Sequence, residues 1–132
     1  MTSRFTHGHR NLKKQEAKVD DCLFCNIVAG RIPATIVHVT DKTLAFRDIT
    51  PKAPVHVLVI PKEHIESLMA LEPRHADLIA DIHQVVQAVA RQEKVVEKGF
   101  RVVVNNGKDS GQAVGHLHYH VLAGRKLGWP PG

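Results

Sequence analysis

The sequence lacks an apolar run long enough to cross a bilayer, and we therefore expect no membrane-spanning segment. The first residues also lack the hydrophobic core of a signal peptide, which favours a cytoplasmic location. No segment repeats, which excludes an array of small units. What remains is an ordinary balance of 43% hydrophobic and 23% charged residues in a chain of 132. That balance is typical of one compact domain with its own hydrophobic core.

Net positive charge is small outside the N-terminus, although the whole chain carries a formal net charge of +5. Residues 1–19 hold five Lys or Arg and one Glu, so four of the five net charges lie there. Basic polar segments of this kind are typically solvated arms, and we interpret residues 1–19 as a flexible tail. Residues 20–132 are nearly neutral and form the predicted domain. We expect no nucleic-acid partner for it.

Apolar periodicity divides the domain into short strands and two helices. Asp20 and Asp21 can cap a short helix that Gly30 ends, and a longer aliphatic stripe at helical spacing ends at Gly99. Hairpin-linked strands with one long helix predict an α+β domain built on an antiparallel sheet. The predicted helices are residues 22–29 and 73–98, and the predicted strands are residues 35–39, 43–49, 55–60, 100–104 and 116–123.

Three histidines stand at alternate positions near the C-terminus, His116, His118 and His120. In an extended strand, alternate side chains leave the same face, so this spacing predicts three imidazoles side by side. The intervening residues are apolar, which indicates that the opposite face is buried. Because imidazoles titrate near neutral pH, the histidine face is a candidate reactive site.

A glycine-containing loop, residues 105–115, leads directly into the histidine strand. Glycines allow backbone N–H groups to approach a ligand closely, and such concave backbone favours phosphate. A phosphate held there would lie beside imidazoles that can attack it or transfer protons. The residues themselves therefore indicate phosphate chemistry.

The histidine strand, followed by Val121 and Leu122, resembles the signature of the histidine triad (HIT) family, in which hydrophobic residues alternate with three histidines. Residues 48–51, 54–62 and the C-terminal Trp-Pro-Pro-Gly at 129–132 also fit this family. The resemblance covers residues 20–132. It favours the histidine triad nucleotide-binding branch, whose members hydrolyse purine nucleoside phosphoramidates. It implies a HIT-like α+β fold with a five-stranded antiparallel sheet, one long helix and one short helix.

The resemblance also implies catalytic roles for four histidines. His118 would attack the α-phosphorus, expel an amine and form a nucleotidyl-histidine that water hydrolyses. His56 would orient the imidazoles and hold the tautomer that frees the attacking nitrogen. His120 would steady the phosphate oxygens together with loop donors, and His116 completes the set.

The same resemblance implies the nucleotide contacts. Asp48 would accept hydrogen bonds from the two ribose hydroxyls, a fit that suits paired carboxylate oxygens. The loop would hold the phosphate, and a group of apolar side chains would enclose the purine. The loop residues are Asn105, Gly111, Gln112 and Ala113, and the apolar residues are Leu23, Phe24, Ile27, Phe46, Ile49 and Leu58. Ala113 departs from the family, which commonly has Ser or Thr there to help the departing amine.

Cys22 and Cys25 form a Cys-x-x-Cys pair, which in an intracellular protein can be two free thiols, a redox pair or part of a metal site. In relatives with this pair, the thiolates bind zinc with two histidines, here His64 and His116. Two cysteines and two histidines satisfy the tetrahedral preference of zinc. The resemblance therefore implies a structural zinc that the chemistry does not require.

Three kinds of function stay open at this point. The first is the phosphoramidase, with a dinucleoside polyphosphate hydrolase as a variant. The second is a metallohydrolase in which the three aligned histidines bind a catalytic zinc. The third is a nucleotide-binding regulatory module with weak turnover.

Assembly is a further expectation, because relatives are two-fold dimers in which the C-terminal segment of one subunit reaches toward the other subunit's site. Trp129 is the only tryptophan, and it lies in a proline-rich terminus that is hard to place in a monomer core. We therefore expect a homodimer with Trp129 near the interface.

Overall fold

The computed structural model describes residues 21–132, so the predicted tail at residues 1–19 lies outside the described part. In the described part of the chain, two α-helices and five strands occur, with two short 3₁₀ turns between β3 and α2. The helices are α1 (Leu23–Val28) and α2 (Ala76–Gln92), the strands are β1 (Ile36–Val39), β2 (Thr43–Arg47), β3 (Val55–Pro61), β4 (Phe100–Val104) and β5 (Tyr119–Ala123), and the 3₁₀ turns are Leu68–Ala70 and Pro73–His75. Within residues 21–132, no helix has the length and apolar character needed to cross a membrane.

The strands form one antiparallel sheet in the order β1-β2-β3-β5-β4. Strands β1 to β3 form a local meander, and β5 inserts between β3 and β4. His56 of β3 lies opposite Leu122 of β5, and Leu58 lies opposite His120. The predicted α+β fold with a five-stranded antiparallel sheet is confirmed, and its two central strands carry histidines.

The two faces of the sheet bury different side chains because strand residues alternate between them. On one face, Val57, Val59 and Val121 are fully buried in the main core, together with apolar residues of α2. On the other face, Leu58 and Ile60 belong to a smaller cluster with Phe24 and Cys25 of α1. His56 follows the same alternation as Leu58 and Ile60. The short helix therefore packs on the side of the sheet that carries the site.

Helix α2 ends at Gln92, earlier than the predicted end at Gly99. Lys94 adopts a left-handed φ of 59°, and the Val95 N–H donates to the Ala90 carbonyl at 3.0 Å. This is the usual way a helix ends, with lysine in the place that glycine normally takes. Glycine is preferred at this left-handed position but is not required, and so no glycine in the sequence indicated that α2 ends at Gln92.

Strand β5 begins at Tyr119, so the predicted strand at 116–123 was too long. Its first predicted residues lie instead in an irregular segment, where the Leu117 N–H donates to the Ile65 carbonyl at 2.6 Å. Of the three histidines, only His120 lies in the sheet ladder. The triad therefore does not present one uniform strand face.

Candidate active site

His116 lies in a cluster with Cys22, Cys25 and His64, whose candidate ligand atoms are all within 4.8 Å of one another. The Nδ1 atom of His116 is 3.3 Å from Cys22 Sγ and 3.5 Å from Cys25 Sγ. The Nδ1 atom of His64 is 3.1 Å from Cys25 Sγ. Cys22 caps α1, and Cys25 lies in its first turn, so the start of this helix brings both sulfurs together. The four residues predicted as a metal site are therefore in one place.

The backbone orients His116 toward the sulfurs. Its Nε2 is 2.9 Å from the Pro61 carbonyl, which can only accept, so Nε2 carries the proton and Nδ1 has the lone pair. The ring is fully buried, and this burial lowers the pKa of His116 to about 4. Burial, followed by the neighbouring Cys22, raises the pKa of the Cys25 thiol. In a tetrahedral zinc site, sulfur and nitrogen ligands are about 3.5 Å apart, so this donor set fits that metal.

His56 and His120 form a second pair on the two central strands. The Lys52 backbone N–H donates to His56 Nδ1 at 3.0 Å, so the proton of a neutral His56 lies on Nε2. That nitrogen is 2.9 Å from Nδ1 of His120 and donates to it. His120 must then carry its own proton on Nε2. Among residues 21–132, this buried atom has no hydrogen-bond partner.

Burial keeps this pair neutral. It lowers the pKa of His120 to about 4, and the neighbouring His118 and His56 add to the effect. It also lowers the pKa of His56, although the nearby Asp48 carboxylate opposes that shift. An unpaired buried N–H is costly, and such groups are characteristic of sites that receive a ligand. Within residues 21–132, the His120 Nε2–H is therefore a buried donor to which no other protein group bonds.

His118 is held in the opposite tautomer. Its Nδ1 is 2.8 Å from the His116 carbonyl and donates to it, which leaves a lone pair on Nε2. The ring is buried between Phe24 at 5.2 Å and His120 at 5.0 Å, measured between ring centroids. The group that fixes the His118 tautomer is thus a carbonyl, whereas His56, predicted for that task, contacts His120. A lone pair and an N–H donor stand on neighbouring rings.

Asp48 lies at the end of β2, beside the histidine pair. Its Oδ2 is 3.4 Å from His56 Nε2, and its Oδ1 accepts from the Thr50 N–H at 2.8 Å. The turn at Thr50 therefore fixes the carboxylate, and each oxygen keeps a lone pair for a ligand.

The glycine-containing loop uses several of its N–H groups internally. Gly111 has a φ of 89°, and its N–H donates to the Lys108 carbonyl at 3.1 Å, which closes a turn. Asn105 is half-buried at the end of β4. Within residues 21–132, no carbonyl accepts from the N–H groups of Ala113 and Val114. Of the predicted phosphate donors, the backbone at Ala113 is therefore unoccupied and that at Gly111 is engaged.

The apolar residues predicted to enclose the purine separate into two groups. Phe24, Phe46 and Leu58 are 3–6% exposed and belong to the cluster under α1, where the two phenylalanine rings meet edge to face. Ile27 is partly buried and packs against the same cluster. Ile49 is 94% exposed and Leu23 is 44% exposed. The first group forms the floor of the site, and the second is accessible to a ligand.

Sequence reasoning predicted backbone donors in the loop but missed the main-chain groups that orient the histidines. These groups are the Lys52 N–H, which fixes the tautomer of His56, and the carbonyls of Pro61 and His116, which fix those of His116 and His118. Every residue has such groups, so no side-chain pattern could identify them.

Fold and site together define a histidine triad domain: an antiparallel sheet whose central strands bring ordered imidazoles beside a glycine-containing loop. The HIT domain family model matches residues 29–127, and the chain belongs to this family, on the branch that includes HINT1.

Named relatives span most of this chain. This chain is 44% identical to the 14 kDa zinc-binding protein of Brassica juncea, over 85% of this chain and 100% of the relative. It is 45% identical to the adenylylsulfatase HINT1 of Arabidopsis thaliana, over 83% of this chain and 76% of the relative. A crystal structure of a HIT family hydrolase from Legionella pneumophila superimposes with a TM-score of 0.83 at 45% identity, over 85% of this chain and 100% of that one.

Proposed function

We propose that the chain is a nucleotide-binding hydrolase that cleaves purine nucleoside phosphoramidates, of the adenosine 5′-monophosphoramidate type, through a nucleotide bound covalently to His118. The observation that carries this proposal is the pair of opposite tautomers, with a lone pair on His118 Nε2 beside a His120 N–H that has no partner within residues 21–132. A nucleophile and a donor for the phosphate oxygens are what the first step needs.

In that step, His118 Nε2 forms a bond to the α-phosphorus while the phosphorus–nitrogen bond breaks. The amine leaves with the electron pair of that bond and takes up a proton from the solvent, to which the attacking water of the second step returns one. The His120 Nε2–H donates to a phosphate oxygen as charge develops on it. Water then attacks the same phosphorus, which releases nucleoside monophosphate and restores His118. His116 supplies the carbonyl that keeps the His118 proton on Nδ1.

The nucleotide would extend from this pair over the α1 side of the sheet. Asp48 offers its fixed carboxylate to the ribose hydroxyls, and the exposed Ile49 follows it directly to contact the purine. The Asn105 side-chain amide and the Ala113 backbone N–H would donate hydrogen bonds to the phosphate. The buried floor residues support these contacts from below.

Adenylyl sulfate is a second candidate substrate, because a relative is named an adenylylsulfatase. Cleavage of either compound would pass through the same adenylyl-His118. Sulfate leaves without needing a proton, and the Ala113 side chain has no hydroxyl with which to assist an amine. Both substrates therefore belong in one assay.

The cluster of Cys22, Cys25, His64 and His116 is proposed as a structural zinc site. Its two sulfurs and two Nδ1 atoms would complete a tetrahedron, which leaves no position for a reacting water. A relative named a zinc-binding protein supports this proposal. When bound, the metal would tie α1 to the segment that carries the triad.

A metallohydrolase with zinc on the three triad histidines is not supported. The His116 lone pair points at Cys22 and Cys25, away from a shared centre. Within residues 21–132, His116 and His120 belong to two separate groups of candidate metal ligands, and neither group contains a second triad histidine.

We also propose that the protein is a homodimer. The edge strand β4 exposes 37% of Phe100 and 40% of Val102, and Trp129 is 82% exposed. An unpaired apolar strand edge is typically covered by another chain. Sedimentation at micromolar concentration should give the mass of two chains, and a monomer there would contradict the proposal.

The decisive experiment incubates the purified protein with adenosine 5′-phosphoramidate or adenylyl sulfate, quenches the reaction in acid-free denaturant and maps any adduct by mass spectrometry. We expect an adenylyl group on His118 and release of adenosine monophosphate. Tight nucleotide binding without adduct or turnover would instead favour a regulatory binding module.

A further inference from the structure

Gln112 uses its side-chain amide entirely within the protein. Its Oε1 accepts from the Gly107 N–H at 2.8 Å, and its Nε2 donates to the Glu66 carbonyl at 2.9 Å and to the Val114 carbonyl at 3.1 Å. Both amide protons are therefore used. A side chain bonded in this way has no donor left for a nucleotide, although sequence analysis placed Gln112 among the nucleotide contacts.

These three bonds join parts of the chain that are distant in sequence. Gly107 begins the turn of the loop, Val114 follows the turn, and Glu66 lies 46 positions from Gln112, in the segment after β3. The Gln112 N–H also donates to the Gly107 carbonyl at 3.2 Å, so the residue clamps the turn from both its backbone and its side chain.

Two further bonds attach the loop to the same segment. The Met69 N–H donates to Asn106 Oδ1 at 3.2 Å, and the Leu117 N–H donates to the Ile65 carbonyl. Gln112 lies between these two attachments. Without its amide, this largely exposed, glycine-containing loop would be attached to the segment after β3 only near its two ends, and its middle could move relative to that segment.

We propose that Gln112 is a positioning residue, whose amide holds residues 107–114 against the segment after β3 so that the N–H groups of Ala113 and Val114 are ordered for phosphate. These are the N–H groups without a carbonyl acceptor in residues 21–132. The inference rests on the proposed function, because the phosphate is that of the nucleotide bound at His118. It assigns Gln112 to preorganisation of the site and not to contact with substrate.

The test compares Gln112→Ala and Gln112→Met with Gln92→Ala. Methionine keeps the length of the side chain and removes its hydrogen bonds. Gln92 is a matched control, because its Nε2 also donates to a backbone carbonyl, that of Val37 at 3.1 Å, on the opposite side of the sheet. Each variant is assayed for kcat and KM with adenosine 5′-phosphoramidate, for adenosine monophosphate affinity, and for hydrogen exchange at the Gly107 amide.

We expect both Gln112 variants to lower kcat/KM at least tenfold, to weaken monophosphate binding and to speed exchange at Gly107, while Gln92→Ala changes none of the three. Full activity in Gln112→Met would overturn the inference, because packing alone would then suffice. Fast exchange at Gly107 with unchanged kcat/KM and affinity would also overturn it. If the parent protein formed no His118 adduct, the proposed function would fail, and monophosphate affinity with Gly107 exchange would still decide the role of Gln112.

Discussion

His116 and His120 lie four residues apart in one segment, yet they belong to opposite kinds of environment. The lone pair of His116 Nδ1 faces the sulfurs of Cys22 and Cys25. His64 completes this cluster of candidate metal ligands. The N–H of His120 Nε2 faces no acceptor within the described residues. The first environment offers four ligands that would together enclose a metal ion, whereas the second offers a single N–H that can donate to a bound substrate.

The difference arises from what the backbone offers each ring. A carbonyl at Pro61 makes His116 Nε2 a donor and leaves a ligand nitrogen on the other side. An N–H at Lys52 acts through His56 and makes His120 Nε2 the outward donor. Two histidine side chains therefore have different chemical roles, because a different main-chain group determines which ring nitrogen of each carries the proton. Stability should therefore depend on the first cluster and turnover on the second.

Loss of the nucleophile should give the largest effect. His118→Ala removes the attacking nitrogen, and we expect turnover of adenosine 5′-phosphoramidate to fall about 10³-fold or more, corresponding to about 4 kcal/mol in the transition state. Nucleotide affinity and metal content should stay close to those of the parent. Rapid-quench kinetics measure the turnover, and calorimetry measures the nucleotide affinity. Turnover within about tenfold of the parent would assign the covalent step to another residue.

Loss of a metal ligand should have the opposite profile. Cys25→Ser should lower zinc content and the free energy of unfolding, by about 4 kcal/mol when zinc is present at about 1,000 times its Kd. The remaining folded protein should keep most of its kcat, because the hydrogen bonds of the Cys25 sulfur within residues 21–132 go to His64 and His116 and not to His118 or His120. Elemental analysis and urea unfolding test this. Parent protein purified without chelators and found free of zinc would return both cysteines to the free-thiol interpretation.

The neutral state of His120 should appear as a pH effect on stability. Its pKa is about 4 when folded and about 6.5 in an unfolded chain, so the unfolded state binds the extra proton between these values. The stabilisation is complete above about pH 6.5 and is lost as pH falls through about 4, with a slope of at most about 1.4 kcal/mol per pH unit. NMR titration of the His120 ring reports its pKa directly. A value of 6.5 or above would contradict the buried neutral pair.

The smallest effect concerns the departing amine. Ala113→Ser restores a hydroxyl beside the proposed phosphate donors, and we expect single-turnover nucleotidylation by an alkyl phosphoramidate to rise about tenfold, the effect of one hydrogen bond contributing about 1.4 kcal/mol. Hydrolysis of the nucleotidyl-histidine should change much less, because the amine has already left. Equal effects on both steps, or none on the first, would place leaving-group assistance elsewhere, with His120 as the next candidate.

The sequence predicted the features that depend on side-chain pattern. Alternating apolar residues predicted the strands, and the family resemblance implied the cluster of two cysteines, His64 and His116 that the structure brings together. Strand β5 was predicted too early, because the period-two pattern continues through His116 and His118 although that segment bonds to Ile65. Periodicity reports which side chains are buried, and it does not report which backbone groups pair.

The role of Gln112 could not be predicted for the same reason. An amide in a glycine-containing loop next to histidines is typical of a ligand contact, and only the positions of three backbone groups show that its bonds are already made. The sequence therefore shows which side chains can form hydrogen bonds, but it does not show whether their partners are a ligand or other groups of the protein.

The insertion of β5 between β3 and β4 has a consequence for how the molecule folds. Strands β1 to β3 are joined by short turns and can form from local contacts, but the hydrogen bond between His56 and His120 joins residues 64 positions apart. Closing so long a loop is slow, because chain entropy is lost before the contacts that reward it are made. We therefore expect the meander to form early and the central strand pair to form late. A partly folded chain would then have most of its secondary structure and no reactive centre.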